Sequence, residues 1–141
     1  MEIVSDDLLL AWLLGANPGH LEDPRTTSGY AMRLLAHIDS APDGGQDIVE
    51  GRFSRAVADL TRNERDLLAE AIVTATLPIG PLLRRLVDIR RRKLAPNILR
   101  SEFLAAGVEH QSPLLTSTRS ESPEYRTAAG ELGIEFTTVE L

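Results

Sequence analysis

The chain contains no cysteine, which excludes disulfide bonds, thiolate zinc sites and cysteine nucleophiles. Aromatic residues make up only 4 %, so the core must be built mainly from leucine, isoleucine, valine and alanine. The longest apolar runs, such as residues 8–14, are too short to cross a bilayer, and we expect no contact with a membrane. No basic segment leads into an apolar one at the start, so we expect no signal peptide and a cytoplasmic protein.

An excess of positive charge is lacking as well, because the net charge is −6. This charge argues against broad nonspecific binding of nucleic acid by the whole surface. The 141 residues are 43 % hydrophobic, enough for a single domain over residues 1–141 with its own core. One segment departs from the overall charge: residues 84–93 hold six basic residues and one acid.

Short apolar segments alternate with helical ones along the chain. The predicted strands cover residues 1–5, 112–118 and 134–141. The predicted helices begin near residues 6, 26, 53, 61, 81, 97 and 122, while residues 16–25 are expected to form a loop. Thr61 and Glu64 have capping-box spacing, and Asn97 is a candidate helix cap. In the helix near residue 81, the spacing of the apolar residues predicts one buried side formed by Leu82, Leu83, Leu86 and Ile89. This alternation predicts an α/β fold with a short parallel sheet flanked by helices.

Polar residues follow the first two predicted strands. Asp6 and Asp7 come after the first strand, and Thr116 and Ser117 end the second. Because ligands of parallel sheets bind at the carboxyl ends of the strands, chemistry is expected between these two segments. The adjacent acids allow two interpretations, namely stabilisation of a helix N-terminus and coordination of a metal ion.

Three stretches carry a resemblance to a known family: "EIVSDDLLLAWLLG", "FLAAGVEHQSPLLTST" and "AAGELGIEFTTV". In this order they resemble the PIN domain family, the fold of VapC-type toxins. The resemblance implies a single three-layer domain and a Mg²⁺- or Mn²⁺-dependent endoribonuclease with a cluster of carboxylates. It also implies RNA as the substrate and an antitoxin-like protein as a partner.

Carried over to this chain, the resemblance gives an incomplete cluster. It places catalytic roles on Asp6, Asp7, Glu50 and Glu102, with Asp6 and Asp7 as metal ligands. Matching the first segment without a gap puts Ser5 at the first acidic position, Arg100 lies near the third, and Thr118 replaces the last. Three functions therefore stay open. The first is a metal-dependent ribonuclease, and the second is an inactive PIN-like module that needs no cofactor and binds RNA or a protein partner. The third is a structural or regulatory subunit that dimerises through exposed apolar surface.

The basic segment supplies most candidate contacts to such a ligand. The residues predicted to bind RNA or a partner are Arg84, Arg85, Arg91, Arg92, Lys93, Arg100, Thr116 and Ser117. Simpler interpretations compete with these roles. The arginines are typical of a solvated face, Asp88 of an ion pair among them, and Glu102 of an exposed helix position or a partner of Arg100. Exposed apolar surface would favour a homodimer.

Overall fold

The computed structural model describes residues 1–40 and 51–141. Its four strands are β1 (Glu2–Val4), β2 (Pro24–Arg25), β3 (Leu114–Ser117) and β4 (Phe136–Val139). They form one parallel sheet in the order β2-β1-β3-β4, in which Ile3 is opposite Leu114 and Leu115 is opposite Thr137. The predicted α/β class with a short parallel sheet is confirmed.

Helices cover both faces of this sheet. The α-helices of the described residues are α1 (Asp6–Leu13), α2 (Ser28–Ser40), α3 (Gly51–Ala58), α4 (Arg62–Ala75), α5 (Leu83–Arg91), α6 (Ile98–His110) and α7 (Pro123–Leu132). Successive strand residues point to opposite faces. Val4 and Leu115 accordingly belong to one core cluster with α1, α2 and α4, whereas Ile3 and Leu114 belong to another with α5, α6 and α7. The domain therefore has three layers.

Local capping fixes two helix starts as expected from the sequence. The Thr61 hydroxyl accepts a hydrogen bond from the Glu64 backbone N–H at 3.2 Å, and the Glu64 carboxyl group accepts one from the Thr61 N–H at 2.9 Å. The Asn97 side-chain oxygen accepts from the Arg100 N–H at 2.9 Å. Both predictions are confirmed.

Two local expectations are wrong. Residues 16–25 contain β2, which pairs with β1 and is continued by Thr26, whose carbonyl oxygen accepts the Leu77 N–H at 2.8 Å. Leu83, expected on the buried side of α5, is 51 % exposed. Leu82 and Ile89 face the core instead, and six residues of helix place Leu83 about 120° away from Ile89.

No helix within the described residues combines the length and the apolar character that crossing a membrane requires.

Candidate functional site

At the carboxyl edge of the sheet, the chain leaves the neighbouring strands β1 and β3 in opposite directions. From β1 the chain crosses to β2 on one side, and from β3 it crosses to β4 on the other. Parallel sheets bind ligands at such a switch point because the diverging loops leave a crevice. We call the polar residues at this position the carboxyl-edge site; they are Ser5, Asp6, Asp7, Ser117 and Ser120.

The carboxyl group of Asp7 is saturated by donors from the protein itself. Its Oδ1 accepts hydrogen bonds from the Ser5 hydroxyl at 2.6 Å and from the Leu8 backbone N–H at 2.9 Å. Its Oδ2 accepts a short bond from the Ser117 hydroxyl and another from the Ser120 hydroxyl at 3.1 Å. A fully buried carboxyl group requires such donors because it has lost its water. Asp7 thereby ties the start of α1 to the end of β3.

Asp6 is as deeply buried as Asp7 but has few partners. Its Oδ1 accepts the Asp7 backbone N–H at 2.9 Å, and its Oδ2 has no hydrogen-bond partner among the described residues. The guanidinium group of Arg33, on α2, lies with Nε 3.4 Å from that oxygen. Burial raises the pKa of Asp6 to about 7, against the lowering effect of Arg33 and with a further increase from Asp7.

Glu102, expected at an exposed helix position or beside Arg100, is 1 % exposed and caps another helix. Its Oε2 accepts the Ser28 N–H at 2.9 Å and the Ser28 hydroxyl at 2.6 Å, and its Oε1 accepts the Gly29 N–H at 2.9 Å. A Cβ atom added at Gly29 would come within 2.8 Å of Leu99, so the absence of a side chain allows this approach. Glu102 therefore joins α6 to the N-terminus of α2.

Two buried tyrosines lie near Asp6. The hydroxyls of Tyr30 and Tyr125 are 2.8 Å apart, and the guanidinium groups of Arg33 and Arg100 lie 5.8 Å and 5.3 Å from the respective ring centroids. Burial raises the pKa of Tyr125 to about 12, while its bond with Tyr30 and the charges of Arg100 and Arg33 lower it. Burial also raises the pKa of Tyr30, and the charge of Asp6 adds to that increase. Both tyrosines are therefore neutral at physiological pH.

The remaining candidates of the carboxyl edge are scattered. Thr116 is buried, and its hydroxyl has no hydrogen-bond partner in the described parts of the chain. Thr118 is exposed beyond the end of β3. Arg100 lies 3.9 Å from Glu124, on α7. Glu50 lies outside the described residues. The structure therefore brings Asp6, Asp7 and Ser117 together, whereas Glu102 caps the N-terminus of α2.

The described carboxylates do not fit a Mg²⁺ or Mn²⁺ centre. These hard cations need several free oxygen ligands that converge on one point. The oxygens of Asp7 accept hydroxyl and amide donors, those of Glu102 cap α2, and the open oxygen of Asp6 faces a guanidinium group. Within residues 1–40 and 51–141, no three His, Asp or Glu side chains form a group that could hold a metal ion.

The second candidate region is the outer surface of α5. Arg85 pairs with Glu109 at 3.2 Å, and Arg92 pairs with Asp88 at 3.5 Å, which confirms the expected ion pair of Asp88. Four exposed residues share the outermost arc of this helix, and we call them the cationic face: Leu83, Arg84, Val87 and Arg91. Neither arginine of the cationic face has an acidic partner among the described residues.

Arg33 is the site residue that the sequence analysis missed. It lies one turn after Tyr30 in an ordinary amphipathic helix, and nothing in its spacing indicates a contact with the first helix of the chain. Glu102 carried a usable signal in the sequence, because the six residues that follow it, Phe103 to Val108, include no polar or charged side chain. A helix segment that is apolar on every side is buried, so a carboxyl group within it needs internal donors.

No protein-family model matches the chain, and the curated proteins contain no match to it. The PIN resemblance therefore stays a prediction from sequence pattern.

Proposed function

We propose that this chain is a PIN-like binding module that docks an acidic protein surface on the cationic face of α5. It does not hydrolyse RNA at the carboxyl edge. The observation that supports this proposal is that protein groups already occupy the acids at that edge. Asp7 accepts four hydrogen bonds from the protein, and a guanidinium group stands beside the open oxygen of Asp6.

Arg33 supplies the charge that a metal ion would otherwise supply at Asp6. Nε of Arg33 lies 3.4 Å from Oδ2, and the pKa of Asp6 still rises to about 7. Coordination of a divalent cation would require Asp6 to be ionised and Arg33 to move away, because the two cations would repel each other. It would also require Asp7 to give up its hydroxyl donors. These three requirements weaken metal binding at neutral pH.

The composition of the cationic face favours a protein over RNA. Leu83 and Val87 are 51 % and 44 % exposed beside the arginines, and aliphatic side chains gain nothing from contact with phosphates. Arginine is enriched and lysine depleted in protein interfaces, and the basic segment holds five arginines and one lysine. An aromatic residue that could stack on a base is lacking over residues 83–93.

Calorimetry with Mn²⁺ tests the first half of the proposal. We expect no saturable binding to the wild type at millimolar metal and pH 7, and no cleavage of an oligouridine RNA with Mg²⁺ or Mn²⁺. The Arg33→Ala variant, which removes the competing guanidinium, and the Asp6→Asn variant serve as matched comparisons. Saturable binding to the wild type that disappears in Asp6→Asn would overturn the proposal.

Fluorescence anisotropy tests the second half. The probes are a labelled helical peptide with glutamates around two leucines at i, i+4 spacing, a scrambled peptide of the same composition, and oligouridine RNA. We expect the amphipathic peptide to bind about tenfold more tightly than the scrambled one, and Leu83→Ser/Val87→Ser to abolish this preference. Tighter binding of the RNA, unchanged in that variant, would identify RNA as the ligand instead.

A second candidate is the Mg²⁺- or Mn²⁺-dependent ribonuclease that the family resemblance implies. One observation favours it: the fully buried Asp6 keeps one carboxyl oxygen without a hydrogen bond at the switch point of the sheet. An acid from outside the described residues, such as Glu50, would be needed beside it. Cleavage of oligouridine RNA that requires Mn²⁺ and is lost in Asp6→Asn would establish this function.

A further inference from the structure

A cleft of about 570 Å³ lies at the amino edge of the sheet, where the strands begin. It opens between the ends of α6 and α7 and the starts of β3 and β4, so it is separate from the carboxyl-edge site. Clefts of this size hold small ligands when apolar walls are combined with a few charged or polar groups. The walls here include the apolar residues Val108, Leu132 and Ile134 and the charged residues Arg85 and Glu135.

The cleft forms because α6 packs closely on the sheet and then ends. A Cβ atom added at Gly107 would come within 3.0 Å of Leu114 and 3.1 Å of Ile134, so the close approach requires a residue without a side chain. Beyond this contact α6 ends at His110 and α7 ends at Leu132, and the residue after each has left-handed backbone angles. Two helices therefore end at the cleft, and the partial negative charge of a helix C-terminus favours a cation.

Opposite charges line this cleft without meeting. Nε of Arg85 donates a hydrogen bond to Glu109 at 3.2 Å, and the rest of its guanidinium group has no acceptor within the described residues. Glu135 is exposed, and its carboxyl group has neither an ion pair nor a hydrogen bond in the part of the chain that the structure describes. Two unpaired opposite charges in one cleft can each bind one end of a ligand that carries both signs.

We infer that this cleft binds a small aliphatic zwitterion, either a free amino acid or a short peptide. Arg85 would bind its carboxylate, and Glu135 with the two helix C-termini would bind its ammonium group. Val108, Leu132 and Ile134 would contact its aliphatic side chain. A purely anionic ligand fits less well, because it would meet Glu135 and both helix C-termini. The inference does not depend on the proposed function, since the cleft and the cationic face share no residue.

Titrations of the full chain with matched ligands, followed in amide NMR spectra, test this inference. The two probes are leucine and the dipeptide leucyl-leucine, and we expect at least one to bind with a Kd on the order of 0.1–1 mM. The tighter of the two identifies the source of the ligand as a free amino acid or a peptide. Leucinamide lacks the carboxylate and N-acetyl-leucine lacks the ammonium group, and each should bind at least about tenfold more weakly than leucine.

Two variants assign each charge of the ligand to one side chain. Glu135→Gln should weaken leucine binding about tenfold and should no longer distinguish leucine from N-acetyl-leucine. Arg85→Gln should weaken it by a similar factor and should no longer distinguish leucine from leucinamide. Loss of structure would not produce this exchange of preferences. Glu131→Gln, on α7 and outside the cleft, is the matched control and should bind like the wild type.

The absence of saturable shifts with both probes up to about 20 mM would overturn the inference. Saturable shifts at the carboxyl edge instead of at residues 107–113 and 132–135 would overturn it as well. The comparison of the ligands on the wild type needs no variant, and equal binding of leucine, leucinamide and N-acetyl-leucine would show that the charges of the cleft do not recognise a zwitterion.

Discussion

Asp6 and Asp7 are neighbours in sequence and equally buried, yet their surroundings differ in almost every respect. Asp7 accepts hydrogen bonds from three hydroxyls and one backbone N–H. Asp6 accepts one backbone N–H, leaves one oxygen without a hydrogen bond, and has a half-exposed arginine beside it. Two equally buried carboxyl groups thus differ in how far the protein replaces the water that they have lost: fully with hydrogen-bond donors at Asp7, and only partly at Asp6.

The pair also separates two tasks at one edge of the sheet. Asp7 connects β1, α1 and β3 and belongs to the framework of the fold. Asp6 has a carboxyl oxygen without a hydrogen bond, and its pKa of about 7 means that it gains or loses a proton near neutral pH. Four substitutions test this division, and we order them by the size of the effect that we expect.

Removal of the Asp7 carboxyl group should have the largest effect. In Asp7→Ala the hydroxyls of Ser5, Ser117 and Ser120 lose their acceptor in a buried place, and we expect the free energy of unfolding to fall by about 5 kcal/mol. Urea denaturation measures the loss. Asp7→Asn, which keeps one acceptor oxygen, should lose roughly half as much. A loss below about 1 kcal/mol in Asp7→Ala would show that the hydroxyls find other partners.

The stability of the wild type relative to Asp6→Asn should depend on pH. Folding raises the pKa of Asp6 from 3.8 to about 7, so the folded chain binds this proton more tightly than the unfolded chain. The stabilisation is fully present below pH 3.8 and is lost as the pH rises through about 7. We expect the wild type to lose on the order of 4 kcal/mol relative to the variant over that range. Urea denaturation of both proteins at several pH values measures this loss. A wild type that gains stability relative to Asp6→Asn as the pH rises would contradict the raised pKa.

Glu102→Gln should have an intermediate effect. The amide keeps one acceptor oxygen of the two that cap α2, and it removes the negative charge at the helix N-terminus. We expect a loss of about 2 kcal/mol in the free energy of unfolding. Glu131→Gln, at an exposed position of α7, is the matched control and should be neutral. Equal stabilities of the two variants would mean that the cap contributes little.

Arg33→Ala should have the smallest effect on stability. The Arg33 side chain is 45 % exposed, so solvent screens much of its attraction to Asp6, and we expect a loss below about 1 kcal/mol at pH 8. Because the Arg33 charge lowers the pKa of Asp6, its removal should raise that pKa further. Carbon-detected NMR titration of the Asp6 carboxyl group measures this shift, and Arg33→Lys should preserve most of the wild-type value. A fall in the pKa of Asp6 in Arg33→Ala would contradict the conclusion that the charge of Arg33 lowers this pKa.

The framework of the fold could be predicted from the sequence where local signals were strong. Thr61 with Glu64, and Asn97 with the helix that follows, depend on contacts between residues three positions apart, and such contacts are visible in the sequence. The strand β2 could not be predicted this way. It comprises only Pro24–Arg25, and two residues cannot show a periodicity, so the strand exists because β1 offers it a pairing edge.

The site was predictable in position but not in detail. The meeting of Asp7 and Ser117 follows from the parallel sheet, because the ends of β1 and β3 must lie at the same edge. The contacts of Arg33 with Asp6 and of Glu102 with α2 depend on how α2 and α6 pack against the rest. That packing is set by many side chains at once, and no spacing within either helix encodes it.

The cap that Glu102 provides has a consequence for a residue that it does not touch. Glu102 holds the first turn of α2 against α6, and Arg33 extends from the next turn of the same helix. The position of the guanidinium group relative to the carboxyl edge therefore depends on how α6 holds the first turn of α2. A substitution at Glu102 that shifts α2 would therefore change the pKa of Asp6 through the position of Arg33.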